Sequence, residues 1–255
     1  MGFTPSISLN SLSCLSEPPA FGGVASPKVL CYNDPSMENQ PEHRSPAPIL
    51  TKSDINLLPL KKYEGPVGII DSDERLRAVI PGLRREQLLG FDIEVRPTFR
   101  SGDHFTPALA QLAARDAVFL VQLKKIGDLA PLGELFADNR VTKAGVAVAG
   151  DITHLHELMP FAAAGFVELG KLAGRKGIKA NGIRTLAAHV LGVRISKGAQ
   201  CSNWERPQLA PAQVAYAATD AWICREIFLA LEKMPDIKGK LKQDPSVSKT
   251  IQDKC

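Results

Sequence analysis

Leu89-Gly90-Phe91-Asp92-Ile93-Glu94-Val95 is the stretch that decides the fold. Its apolar and acidic side chains alternate with the period of a strand, so Phe91, Ile93 and Val95 point to one face and Asp92 and Glu94 to the other. Two carboxylates side by side inside a domain repel each other, and desolvating them is costly unless a positive group sits between them. A divalent cation is one answer; an edge strand with a solvated acidic face is the other. The rest of the chain bears on the choice, because it supplies two more aspartates in suggestive settings.

Outward from this strand, secondary-structure signals alternate. Residues 67–70 read as a short strand, and Asp71 or Ser72 caps a helix to residue 79 that Pro81-Gly82 stops. Arg96-Pro97 breaks the central strand, and residues 108–112 and 118–123 read as two strands paired across Arg115-Asp116. A short helix is expected over 131–137 and a buried strand over 141–148 ending at Gly150-Asp151. A helix over 152–158 follows, then a strand or helix start at 166–169, and a helix over 182–191 that Gly192 ends. Pro211 opens the longest helix, running to about residue 232. This order predicts an α/β protein with helices packed on a mixed sheet.

Composition sets the frame. The chain has 255 residues, 44% of them hydrophobic, enough for one catalytic domain plus tails, and a net charge of +4 that tolerates a polyanionic ligand without demanding one. We expect an extension without stable structure over residues 1–55, a domain over 61–233 and a Lys-rich tail over 234–255, because the first stretch is Pro- and Ser-rich and lacks periodicity. Five scattered cysteines form no metal-ligand spacing and indicate reduced thiols in a cytoplasmic setting, with organellar targeting by the extension left open. No apolar run reaches bilayer length, so no membrane association is expected.

Two further sites carry carboxylates. Asp151 follows a strand at the start of a helix, where capping is a complete structural explanation. Tyr216 and Asp220 lie four apart, hence on one helical face, and Ala215, Ala217, Ala218 and Ala221 let that helix approach the sheet. An aspartate there needs either a hydroxyl neighbour or a cation shared with Asp92 and Glu94.

In order, Phe91-Asp92-Ile93-Glu94, the run from Lys143 to Asp151, and Tyr216-Ala217-Ala218-Thr219-Asp220-Ala221 resemble the three motifs of the DEDD 3′-5′ exonucleases. The resemblance covers about residues 88–231 and is nearest to the Werner-helicase exonuclease domain and ribonuclease D; Cys201-Ser202-Asn203-Trp204 looks like the corresponding Werner-type segment. It implies a ribonuclease H-like fold, a mixed sheet with helices on both faces. Because Tyr216 stands four before Asp220 and Ala215 five before, the chain resembles the tyrosine subclass and not the histidine subclass.

The same resemblance implies hydrolysis of phosphodiester bonds from a 3′ end, releasing nucleoside 5′-monophosphates with two Mg²⁺ or Mn²⁺ ions about 4 Å apart. It assigns Asp92 to both ions, Glu94 and Asp220 to the first, Asp151 to the second through water, and Tyr216 to orienting and helping to deprotonate the attacking water. The implied partner is nucleic acid with a single-stranded or frayed 3′ end. Candidate contacts to it are Arg96, Arg100, Lys197, Trp204 and Arg206, with Trp204 readable also as a core plug. An oligonucleotide phosphodiesterase and a non-cutting nucleic-acid-binding scaffold are the alternative functions.

Overall fold

The structure is a computed structural model that describes residues 50–98 and 105–237. The expectations for residues 1–49 and 238–255, and for Arg100, lie outside the described residues. Six strands, β1 (Val67–Ile70), β2 (Leu88–Val95), β3 (Pro107–Ala113), β4 (Val118–Gln122), β5 (Thr142–Gly145) and β6 (Phe166–Glu168), form one sheet in the order β1-β4-β3-β2-β5-β6. β3 alone runs against the other five: it pairs antiparallel with β2 and β4, whereas the remaining pairs are parallel.

Among the described residues, helices cover both faces, as expected. α2 (Asp73–Leu83), α3 (Ala130–Ala137) and α4 (Val148–Leu155) bury Leu76, Ile80, Leu132, Phe136 and Leu155 against Leu89, Phe91 and Ile93 of β2. α5 (Leu169–Arg175), α6 (Ile183–Leu191) and α7 (Pro211–Glu232) lie on the other face. The parity of β2 holds as predicted. Leu89, Phe91 and Ile93 are core, which leaves Asp92 and Glu94 on the side of α7.

Several local expectations are corrected. Residues 52–57, the first four of which fall in the expected extension, form helix α1 (Lys52–Leu57), capped by a reciprocal Thr51–Asp54 capping box and anchored by buried Ile55. Pro81 does not stop α2, which runs on to Leu83; a proline in the last turn forfeits one backbone hydrogen bond while Ile80 and Leu83 on either side are buried. β5 ends at Gly145, three residues earlier than expected, and α4 begins at Val148. Among the described residues no helix is long and apolar enough to cross a membrane.

Candidate active site

The site is assembled around the middle of the sheet. β2 pairs with β5 only through Leu88, Leu89 and Gly90, so beyond Gly90 that edge of β2 is released and Asp92 and Glu94 sit where β5 no longer runs alongside. On the other edge, β3 continues the pairing and sets Gln111 opposite Asp92.

α7 brings the third carboxylate. Ala217, Ala218 and Ala221 are fully or nearly fully buried against the sheet, whereas Ala215 is exposed and takes no part in that contact. The close approach is made possible at Gly90: a Cβ there would lie 1.9 Å from the Ala221 carbonyl oxygen and 2.9 Å from the Arg225 backbone nitrogen. With the two backbones this close, Asp220, one residue before Ala221, faces Asp92 and Glu94. One carboxylate oxygen from each of Asp92, Glu94 and Asp220 lies within 4.8 Å of the others.

Asp151 reaches the site from a different element. It is the fourth residue of α4 and does not cap it. The cap function falls to Glu168, at the end of β6, whose Oε2 accepts from the Val148 backbone N–H at 3.0 Å while Oε1 accepts from Gly170 N–H at 3.3 Å. Ala147, in the left-handed conformation with φ 60°, turns the chain sharply from β5 into α4. Asp151 lies outside the trio of converging oxygens but close enough to repel Asp92 and Glu94.

Electrostatics show what the cluster lacks. Burial, followed by repulsion from Asp220, Asp151 and Glu94, holds Asp92 well above the usual carboxylate range. Burial and then the charges of Asp220 and Asp151 push Glu94 up to about 8. Asp151 is pushed up to about 7 by burial and by Glu168. Asp220 also rises to about 7 through burial, although a hydrogen bond from Tyr216 and the nearby Arg184 guanidinium pull it down. Asp151 Oδ2 and Asp220 Oδ1 are buried with no hydrogen-bond partner among the described residues. Converging carboxylates with orphaned oxygens are the donor set of a hard divalent cation, and the site therefore fits Mg²⁺ or Mn²⁺.

Tyr216 lies one turn before Asp220 and partly buried, as its spacing predicts. Burial, then repulsion from Asp220 and Glu94, pushes its phenol up, so without cations it stays protonated. The candidate nucleic-acid contacts divide. Trp204 is 1% exposed, packs with Ala217, Ala218 and Ala221 and stands 5.9 Å from the Tyr216 ring, so it plugs the core and offers no face to a base. Arg96 is exposed but already engaged, paired with Glu205 at 3.2 Å and lying over the Phe105 ring. Lys197 and Arg206 are exposed, and Arg206 lines a cavity of about 290 Å³ with Ser202, Asn203 and Gln213. Glu168 and Gly90 were missed by sequence reasoning. Gly90 stood inside the deciding stretch, but a missing side chain carries no chemistry to notice.

Comparison with known proteins bears on the same region. Residues 67–236 match the family model described as 3′-5′ exonuclease. The chain is 29% identical over 184 residues to the human exonuclease mut-7 homolog and 32% identical over 177 residues to ribonuclease D of Gluconacetobacter diazotrophicus, covering 60% and 68% of this chain. It spans only 21% and 44% of the length of those two relatives. Among solved structures, the EXO domain of Aedes aegypti Nibbler is similar with a TM-score of 0.62 at 25% identity, covering 68% of this chain and 91% of that one. The fold is thus the ribonuclease H-like exonuclease fold, as the resemblance implied. Since the family match takes in β1 through α7 and all the carboxylates just described, this chain belongs to the 3′-5′ exonuclease family of hydrolases.

Proposed function

We propose that this protein removes nucleoside 5′-monophosphates from the 3′ end of a nucleic acid by metal-dependent phosphodiester hydrolysis, as a member of the tyrosine subclass. The observation that carries the reading is the convergence of Asp92, Glu94 and Asp220 within 4.8 Å, with Tyr216 one turn from Asp220. Mg²⁺ or Mn²⁺ held by these residues supplies charge stabilisation at the phosphoryl group and a more acidic water.

The chain's own residues do the rest. Asp92, central in the cluster and repelled by the three other carboxylates, is the principal ligand; Glu94 and Asp220 complete its site, and Asp151, set back on α4, acts through water. Tyr216, one turn before Asp220, orients the attacking water with its hydroxyl rather than serving as a strong base. Lys197 and Arg206 are exposed on the loop before α7 and positioned for phosphates. Exposed Cys201 and buried Cys224 are both free thiols, which supports a reducing, cytoplasm-like compartment.

The test is a labelled oligonucleotide degraded in Mg²⁺ or Mn²⁺. A ladder shortening from the 3′ end and abolished by EDTA is expected, and Asp92→Asn should lower the rate by at least ~10³-fold because it removes the group that neutralises the cations. Cleavage by Asp92→Asn at the wild-type rate would refute the mechanism. Digestion of short oligomers only would favour the phosphodiesterase, and binding without products the scaffold.

A further inference from the structure

Residues 58–63 precede the family match, which starts at 67, yet they are fastened to the catalytic face. Lys61 N–H donates to the Arg194 carbonyl at 2.8 Å, Arg194 N–H donates back to the Pro59 carbonyl at 2.9 Å, and Arg194 Nε donates to the Leu58 carbonyl at 3.0 Å. Tyr63 N–H donates to Thr219 Oγ1 at 3.0 Å, one residue from Asp220. This strap is therefore fixed at both ends, against the loop after α6 and against α7.

Between strap and helix lies a hollow of about 190 Å³, into which Tyr216 and Asp220 open from α7 and Leu60, Lys61 and Lys62 from the strap. Ala212 and Ala215 form its apolar floor and are both exposed, so a flat ring can rest there without displacing a core side chain. Gly198, Ala199 and Ala212 line both this hollow and the larger one that Arg206 lines. Ser196 and Gly198 line the first hollow; exposed Lys197, between them in sequence, lines neither. A track with small apolar residues beneath and cations along its rim, ending at Tyr216 and Asp220, has the composition of a single-strand nucleic-acid groove. The lysines differ in availability. Lys62 lies 3.6 Å from Glu64 in an exposed pair, whereas Lys61 has no carboxylate partner among the described residues.

We propose that residues 58–63 complete the substrate site: a nucleotide next to the scissile bond lays its base over Ala212 and Ala215 while Lys61 holds its phosphate. This rests on the exonuclease reading above and extends it to a segment outside the family match.

The experiment uses the full chain in EDTA, which keeps the probe uncut, and measures binding of a fluorescent single-stranded oligonucleotide by anisotropy across a salt series. One lost phosphate contact lowers the slope of log K against log salt by about 0.7 and weakens binding about fivefold at about 0.1 M salt. Lys61→Ala should show both effects, Lys61→Arg should restore them, and Lys52→Ala, which removes the same charge from α1, should show neither. In Mg²⁺ the Lys61→Ala loss should appear in KM with kcat unchanged. An unaltered melting temperature is expected, since Lys61 is exposed. If Lys61→Ala binds with the wild-type affinity and slope, or loses no more than Lys52→Ala, the strap has no part in the site while the exonuclease reading stands. A wild type that neither binds nor cuts the oligonucleotide would sink that reading and this one together.

Discussion

Without cations, the acidic cluster should make the protein less stable as pH rises, and the effect can be sized from Asp220. Its carboxyl, 3% exposed, is pushed from an ordinary 3.8 up to about 7 in the folded state. A raised folded value means that the folded chain keeps a proton the unfolded chain has already lost, so between about pH 4 and pH 7 stability falls with increasing pH. About three pK units at ~1.4 kcal/mol each give about 4 kcal/mol for Asp220 alone, a minimum for the cluster because the other three carboxyls are raised as well. For a domain of this size that corresponds to about 12 °C in melting temperature. The assay is thermal unfolding in EDTA at about pH 4 and about pH 7.5, repeated with Mg²⁺. This window avoids Lys143, whose burial pushes its ammonium down to about 8 and whose effect has the opposite sign, stability returning only above that pH. We expect EDTA-treated protein to melt at least ~12 °C lower at the higher pH, and Mg²⁺ to recover most of the loss there. Asp220→Asn should flatten the metal-free pH dependence and shrink the Mg²⁺-induced shift. A metal-free melting temperature that is constant or rises between these pH values would refute the account of the cluster as uncompensated charge.

Two other outcomes follow from the same geometry. Tyr216→Phe keeps the ring and its packing against Trp204, so fold and Mg²⁺-induced stabilisation should persist while single-turnover cleavage slows by roughly 10²-fold; wild-type cleavage would remove the tyrosine from the mechanism. Gly90→Ala places a Cβ within 1.9 Å of a backbone oxygen, and should cost about 1–3 kcal/mol in urea unfolding and a larger fraction of activity than of fold, since the helix that must retreat carries Asp220.

What could be read beforehand depended on whether a residue's role was periodic or relational. Asp92 and Glu94 were legible because strand alternation alone separates them from Phe91 and Ile93, and Tyr216 and Asp220 because helical spacing puts them on one face. Asp151 lies at a different point of its helix than expected, since the three-residue shortening of β5 depends on a left-handed Ala147 that propensity disfavours. Glu168 could not be found by pattern. Its capping of α4 joins residues 20 apart in sequence, across a turn and a strand. Arg96 read as free because its partner Glu205 is 109 residues away. The strap was lost for the same reason: residues 58–63 carry no periodic pattern, and only their long-range bonds to Arg194 and Thr219 give them a place.

The bare Cα of Gly90 also acts as a gauge. The spacing of the acidic trio is set less by the acids than by how near one helix backbone can come to one strand, and that distance is recorded at a residue with no functional group. Tuning the enzyme toward a larger or softer cation, or slowing it without touching a ligand, would therefore begin at position 90 and at the small residues facing it, where each added methyl group moves Asp220 outward as a shim would. The same lever works in the other direction for design: a scaffold that already brings a helix this close to a strand needs only the carboxylates to be written onto it.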